Sequence, residues 1–142
     1  MVFLIKEVMQ REFLTAPPDR DVFGCIQEMV RRREGFLLVV DQGRTIGIVT
    51  ERDLIGKVLA TGRDPHALRV HEIASQPVKS VEANTPTMDV VEEMSKGGLR
   101  RVAVVEGGRT VGVVTGRDLF RAFRKYVDQV STDVARLQST SP

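Results

Sequence analysis

The block Gly43–Leu54, Gly-Arg-Thr-Ile-Gly-Ile-Val-Thr-Glu-Arg-Asp-Leu, returns at 108–119 as Gly-Arg-Thr-Val-Gly-Val-Val-Thr-Gly-Arg-Asp-Leu, an offset of 65 residues. The correspondence runs without a gap back through Val39 and Val104, Met29 and Met94, to Val8 and Ile73. Self-similarity at a fixed period means copies of one supersecondary unit. A unit of about 60 residues buries too little surface to be comfortable alone, so the two copies are expected to share a core.

Each copy reads as strand, helix, strand, strand, helix, an α+β pattern. Phe13–Ala16 and Val78–Val81 suit a short first strand. Asp19 and Asp21 suit the positive end of the helix that follows in copy one. In copy two Thr85 suits an N-cap and Pro86 the first helical position. Val22, Cys25, Ile26, Met29 and Val30 then form the stripe of a half-buried helix, answered by Val90, Val91 and Met94 before Gly97 and Gly98 stop it. Phe36–Val40 with Thr45–Val49, and Arg101–Val105 with Thr110–Val114, are β-rich runs joined by glycine-bearing turns, hence hairpins.

Closing helices are expected from Thr50 and Thr115, the first turning Leu54, Val58 and Leu59 inward and ending near Gly62. These signals divide the chain into repeat one over 1–62, a linker over 63–69, repeat two over 70–126 and a C-terminal extension over 127–142. Phe123, Val127, Val130, Val134 and Leu137 keep a 4-3-4-3 spacing into that extension. Such a seam needs cover from this chain or from another copy of it, so a homodimer is expected. The tail Gln138–Pro142 is expected to fray.

Composition narrows the function classes. A hydrophobic fraction of 42% beside 28% charged residues is that of a soluble globular protein, with no apolar run long enough to span a membrane. The opening run Met1–Lys6 is too short for a secretory signal, and the single Cys25 suits a reducing compartment, so a cytoplasmic location is expected. Cys25 and the helical methionines read as core residues. A formal charge of +2 is too mild to imply a nucleic-acid partner, and one tyrosine with no tryptophan leaves few stacking surfaces near the basic clusters Arg31–Arg33 and Arg121–Lys125. His66 and His71 stand apart from other ligand-type residues and read as solvated, so no metal site is expected. With no nucleophile–base pair in view, no catalytic residue is assigned and an enzyme is not expected.

Thr50-Glu51-Arg52-Asp53 and Thr115-Gly116-Arg117-Asp118 are the sharpest constellations. Threonine with an acidic residue three places on, at a strand-to-helix junction, matches a capping box. Three details ask for more than a cap. Both copies use Asp, although Glu and Gln are the usual reciprocal caps; both place glycine, Gly47 or Gly112, three residues upstream inside a strand, where it weakens the sheet unless backbone or ligand must approach closely; both set arginine beside the Asp. A carboxylate at such a corner can accept two hydrogen bonds from a vicinal diol such as ribose, while the hydroxyl and arginine can hold phosphate.

The ordered markers resemble a tandem pair of CBS domains, the cystathionine β-synthase regulatory repeat paired as a Bateman module. They are Ile5-Lys6-Glu7-Val8-Met9, Leu14–Asp19, Val39-Val40-Asp41 and Gly47–Leu54, then Val104-Val105-Glu106 and Gly112–Leu119. The resemblance covers about Ile5 to Phe123. It implies two β-α-β-β-α repeats packed through their sheets about a pseudo-twofold axis, with two clefts for adenosine-containing ligands. By the same resemblance Asp53 and Asp118 would grip ribose, with Thr50 and Thr115 near ribose or phosphate and Arg52 and Arg117 beside them. Thr15, Ala16, Ser80 and Val81 would line the adenine side.

The family often carries basic phosphate ligands at the entry to the second strand. Arg100-Arg101 stand there in copy two, but Gly35-Phe36 in copy one, so the clefts should be unequal. Leu38 and Ala103 stand where the family often has proline, which reads as neutral for function. The implied function is a stand-alone regulatory module, with AMP, ADP or ATP as its ligand and S-adenosylmethionine or NAD as alternatives, acting on a regulated protein in trans. No cofactor is required. The competing reading is a structural dimerisation module whose Thr-x-x-Asp motifs only cap helices.

Overall fold

The computed structural model describes residues 3–75 and 78–139. Repeat one contributes β1 (Thr15–Ala16), α1 (Val22–Arg32), β2 (Phe36–Asp41), β3 (Arg44–Thr50) and α2 (Glu51–Leu54), which passes into a π-helical turn over Ile55–Leu59. Repeat two contributes β4 (Ser80–Glu82), α3 (Thr87–Gly97), β5 (Arg101–Glu106), β6 (Arg109–Thr115) and α4 (Gly116–Ser139). The α+β class and the repeated β-α-β-β-α order are as the sequence predicts.

Each repeat forms a three-stranded sheet in which the first strand runs parallel to the second and the second antiparallel to the third. The two hairpin turns are tight because Gln42 and Gly43, and Gly107 and Gly108, all take positive φ. That is the backbone a two-residue turn needs to match strand twist. The same bulge recurs at Val39/Val40 and Val104/Val105. The sheets meet through Phe36, Leu38 and Val113, all buried, with Phe13, Val40 and Ile48 packed around them. The equivalent hydroxyls of Thr45 and Thr110 touch at 2.6 Å across this boundary, which places them on the pseudo-twofold axis.

The repeats also exchange their leading segments. Phe3–Met9 belongs by sequence to copy one, yet Ile5 N–H donates to Thr85 O at 2.8 Å and Thr87 N–H to Phe3 O at 2.8 Å. Ile5 and Met9 are buried in the core of repeat two. Leu68, Val70 and Ile73 fill the equivalent place in repeat one, where Val70 N–H donates to Arg20 O at 2.8 Å. Burying two equivalent apolar segments in the opposite partner makes each half-core depend on the other.

Several local expectations shift. Asp21 caps α1 by accepting from Gly24 N–H at 2.9 Å, but Val30 is 73% exposed because α1 buries only Val22, Cys25 and Met29. Pro86, not Thr85, holds the N-cap position of α3, and Gly98 ends it in a left-handed conformation. Leu59 is 75% exposed rather than inward. The π turn, closed by Ala60 N–H to Ile55 O at 2.8 Å, shifts the phase of the stripe after Val58. His66 is not simply solvated, since its ring stacks on Phe23 with centroids 4.1 Å apart. Gln138 and Ser139 continue α4, and the rest of the expected frayed tail lies outside the described residues.

Candidate functional site

Both Thr-x-x-Asp corners close as full capping boxes. The Thr50 N–H and hydroxyl donate to Asp53 Oδ2 at 2.9 and 3.1 Å, and Asp53 N–H returns to Thr50 Oγ1 at 3.3 Å. Thr115 and Asp118 repeat this at 2.8, 3.0 and 3.4 Å. Asp is therefore long enough to cap reciprocally here, because the extended N-cap residue (Thr50, φ −115°, ψ 166°) folds its own N–H over the first turn. The choice of Asp over Glu needs no ligand to explain it.

The remaining carboxylate oxygen of each Asp is also engaged, by equivalent residues of the exchanged segments. Asp53 Oδ1 accepts from Ser75 Oγ at 3.2 Å and pairs with Lys57 Nζ at 3.1 Å. Burial alone would raise the Asp53 pKa, but hydrogen bonds from Thr50 and the Lys57 ammonium outweigh it and hold the group below the usual carboxylate range. Asp118 is more enclosed, at 4% exposure, and the Gln10 side-chain amide reaches both its oxygens at 3.1 and 3.0 Å. Gln10 is fixed there by paired backbone bonds with Val113. A Cβ on Gly112 would lie 2.9 Å from Gln10 O and collide with the Met9 sulfur. Of the two close approaches that a strand glycine allows, backbone or ligand, Gly112 makes the first: it admits the exchanged segment.

The two clefts differ. A cavity of about 180 Å³ lies between the sheets, lined by Thr50, Leu38 and Ile48 of repeat one and by Val78, Arg100 and Arg101 of repeat two. Lys79 lines it too and reaches Glu93 at 3.0 Å. The Arg101 guanidinium carbon lies 4.6 Å above the Phe36 ring. Its Nε is buried and finds no hydrogen-bond partner among the described residues. Burial lowers the Arg101 pKa, neighbouring Arg100 adds to this, and Glu51 opposes it. The cavity thus joins a hydroxyl, apolar walls and a partly desolvated cation with a spare donor. At the equivalent positions of the second cleft, Phe13 and Phe36 replace Val78 and Arg101 and pack with Leu38 and Val113. Rings fill there what polar groups line here.

The other sequence-predicted residues are more scattered. Ala16 and Val81 are buried in the two repeat cores, while Thr15 and Ser80 are exposed beside them on the first strands. Arg52 is exposed on α2, and Arg117 lies with Phe120 and Arg121 along a groove on the outer side of α4. A larger hollow of about 370 Å³ touches Asp118 from outside, between Phe3–Val8 and Arg121–Lys125, and Thr115 does not line it. Lys57, Ser75, Lys79 and Gln10 are residues that sequence reading misses. The only signal for the last two is position: Lys79 adjoins the first strand of copy two, and Gln10 is the repeat equivalent of Ser75. Among the described residues no three His, Cys, Asp or Glu side chains gather as a metal site, and no helix is long and apolar enough to cross a membrane.

Two equal half-sheets around an intersheet cleft, each closed by a Thr-x-x-Asp corner, define a paired-repeat module. The CBS domain profile matches residues 5–60 and 70–125, and the chain belongs to the CBS domain family. An uncharacterized protein of Methanopyrus kandleri is 29% identical over 136 residues, 94% of this chain and 69% of that protein. Hypoxic response protein 1 of Mycobacterium tuberculosis is 36% identical over 81 residues, 57% of either chain. Among solved structures, a CBS domain pair in complex with 5′-methylthioadenosine and S-adenosyl-L-methionine superposes with a TM-score of 0.75 at 27% identity, covering 89% of this chain and 99% of that one.

Proposed function

We propose that this CBS pair is a non-catalytic regulatory module that binds one adenosine-containing ligand in the cleft between Thr50 and Arg100-Arg101. The observation that carries the reading is the cavity itself, which brings the Thr50 corner of one repeat against two arginines of the other. Thr50 and Asp53 would meet the ribose, Asp53 exchanging its Ser75 contact for a sugar hydroxyl. Arg100, Arg101 and Lys79 would meet phosphate, and Leu38, Ile48 and Val78 would flank the base. Thr115, Asp118 and the residues Thr15 and Ala16 belong to the closed cleft and stay empty. The complex of a 27% identical CBS pair with two adenosyl compounds supports the ligand class. AMP, ADP and ATP fit the cationic end better than uncharged adenosine does, and occupancy would be read by a partner protein.

Calorimetric titration with AMP, ADP, ATP, S-adenosylmethionine and NAD tests this. One site per chain is expected for at least one of them, lost in Asp53→Ala and kept in Asp118→Asn. No heat and no thermal shift with any of the five overturns the reading. The competing account, a structural module whose motifs only cap helices, draws on the complete capping boxes and predicts that null result.

A further inference from the structure

The cleft that holds Arg100 and Arg101 also holds the carboxylate of Glu51 at its edge, and the second cleft lacks both charges. Glu51 is answered in the repeat by Gly116, and Arg100-Arg101 by Gly35-Phe36. Each cleft takes its Thr-x-x-Asp corner from one repeat and its strand entry from the other, so acid and base meet in one cleft only. The helix start does not need this carboxylate. Thr50 and Asp53 complete their capping box themselves, and Thr115 and Asp118 complete an equal one with glycine in the Glu51 place.

Backbone pairing sets the carboxylate beside the guanidinium. Phe36 pairs with Thr50 across β2 and β3, and Glu51 N–H continues the pairing to Gly35 O at 3.0 Å. The Glu51 side chain lies over Gly35, where a Cβ would stand 3.5 Å from its Oε1. The next residue is Phe36, whose ring carries the Arg101 guanidinium. From there Glu51 favours the charged form of Arg101 against the burial that disfavours it. The charges of the cleft then nearly cancel. Three cations line it, Lys79, Arg100 and Arg101. Glu93 pairs with Lys79 at 3.0 Å and Glu51 acts on Arg101, so two of the three are already offset. One phosphate group matches what remains, and each further phosphate adds charge that Glu51 repels.

We propose, resting on the adenosyl-ligand reading of this cleft, that Glu51 sets how many phosphates it accepts and favours the monophosphate over the triphosphate. The carboxylate rejects by repulsion what the arginines alone would attract. Magnesium-free titrations of adenosine, AMP, ADP and ATP at low ionic strength, into the parent chain and into Glu51→Gln, test this. AMP is expected to bind the parent chain more tightly than ATP. Glu51→Gln should leave adenosine unchanged, tighten AMP about twofold and tighten ATP about tenfold, with ADP between them. Salt at about 0.5 M should erase most of that difference. Glu51→Asp, which keeps the charge, should keep the parent's order. An equal change for all four ligands, or a loss of AMP affinity, overturns the proposal, because Glu51 would then shape the cleft or orient Arg101. A parent chain that prefers ATP overturns it too. Binding of none of the four overturns the adenosyl-ligand reading as well, whereas AMP binding with no response to Glu51→Gln overturns the role of Glu51 alone.

Discussion

Arg101 lies over the ring of Phe36, its guanidinium carbon 4.6 Å from the centroid, and the two residues occupy the same position in the two repeats. One position in the duplicated unit has thus become a cation in one cleft and a plug in the other. Because they touch, the difference acts twice: the ring shields the guanidinium from water, and the guanidinium closes the Phe36 side of the boundary.

Arg101 should therefore matter to charged ligands more than to neutral ones. A charge-assisted hydrogen bond contributes about 1.5–3 kcal/mol. Arg101→Gln is expected to weaken AMP binding by about tenfold to a hundredfold while changing adenosine binding little. Paired titrations with AMP and adenosine check this. An equal loss for both would mean that Arg101 holds the cleft's shape and does not meet phosphate.

Asp53 predicts an acid response. Its native pKa lies below the usual carboxylate range, so below about pH 4 the unfolded chain binds more protons than the folded one. The stabilisation is present above the unfolded pKa and is lost as pH falls through the native one. In urea titrations from pH 5 to pH 3 the parent chain should lose more stability than Asp53→Asn, which has no proton to take up. Parallel curves would show that the Thr50 and Lys57 contacts do not favour the ionised form.

Cys25 should be inert. Burial pushes its pKa up to about 11, with Arg20 lowering it and Asp21 raising it by smaller amounts. The thiol is therefore protonated at pH 8 and out of reach of reagents. Ellman's reagent is expected to titrate about no thiol in the native chain and one after denaturation. Prompt native reactivity would mean that α1 opens locally far more often than its buried face, Val22, Cys25 and Met29, implies.

Much of this was legible because the repeat states every signal twice. Turn glycines, the Asp21 cap and the Thr-x-x-Asp corners are local chemistry and fall where the residues predict. The exchange of Phe3–Met9 for Leu68–Ala74 was not legible. Two equivalent apolar segments carry the same pattern, and periodicity reports which face is buried, not which copy buries it. Gly112 shows the same limit, since a strand glycine records a close approach, of backbone or ligand, without naming which segment approaches. Leu59 failed differently, where a π turn changed the angular step that the stripe assumes.

The exchange gives Gln10 and Ser75 unequal weight at equivalent positions. Gln10 reaches both oxygens of an enclosed carboxylate, and Gln10→Ala leaves Asp118 buried with only its own capping contacts. An under-satisfied buried group costs about 1–3 kcal/mol, and that loss is expected in chemical denaturation. Ser75→Ala removes one contact from a more open Asp53 that keeps Lys57, so its cost should stay below about 1 kcal/mol. The ligand should respond in the opposite order. Ser75→Ala frees the Asp53 oxygen that the ribose would take, so AMP should bind that variant as tightly or tighter, whereas Gln10→Ala leaves AMP affinity unchanged. A second binding event appearing in Gln10→Ala would show instead that this one amide, and not the Phe13 and Phe36 rings, keeps the Thr115 cleft closed.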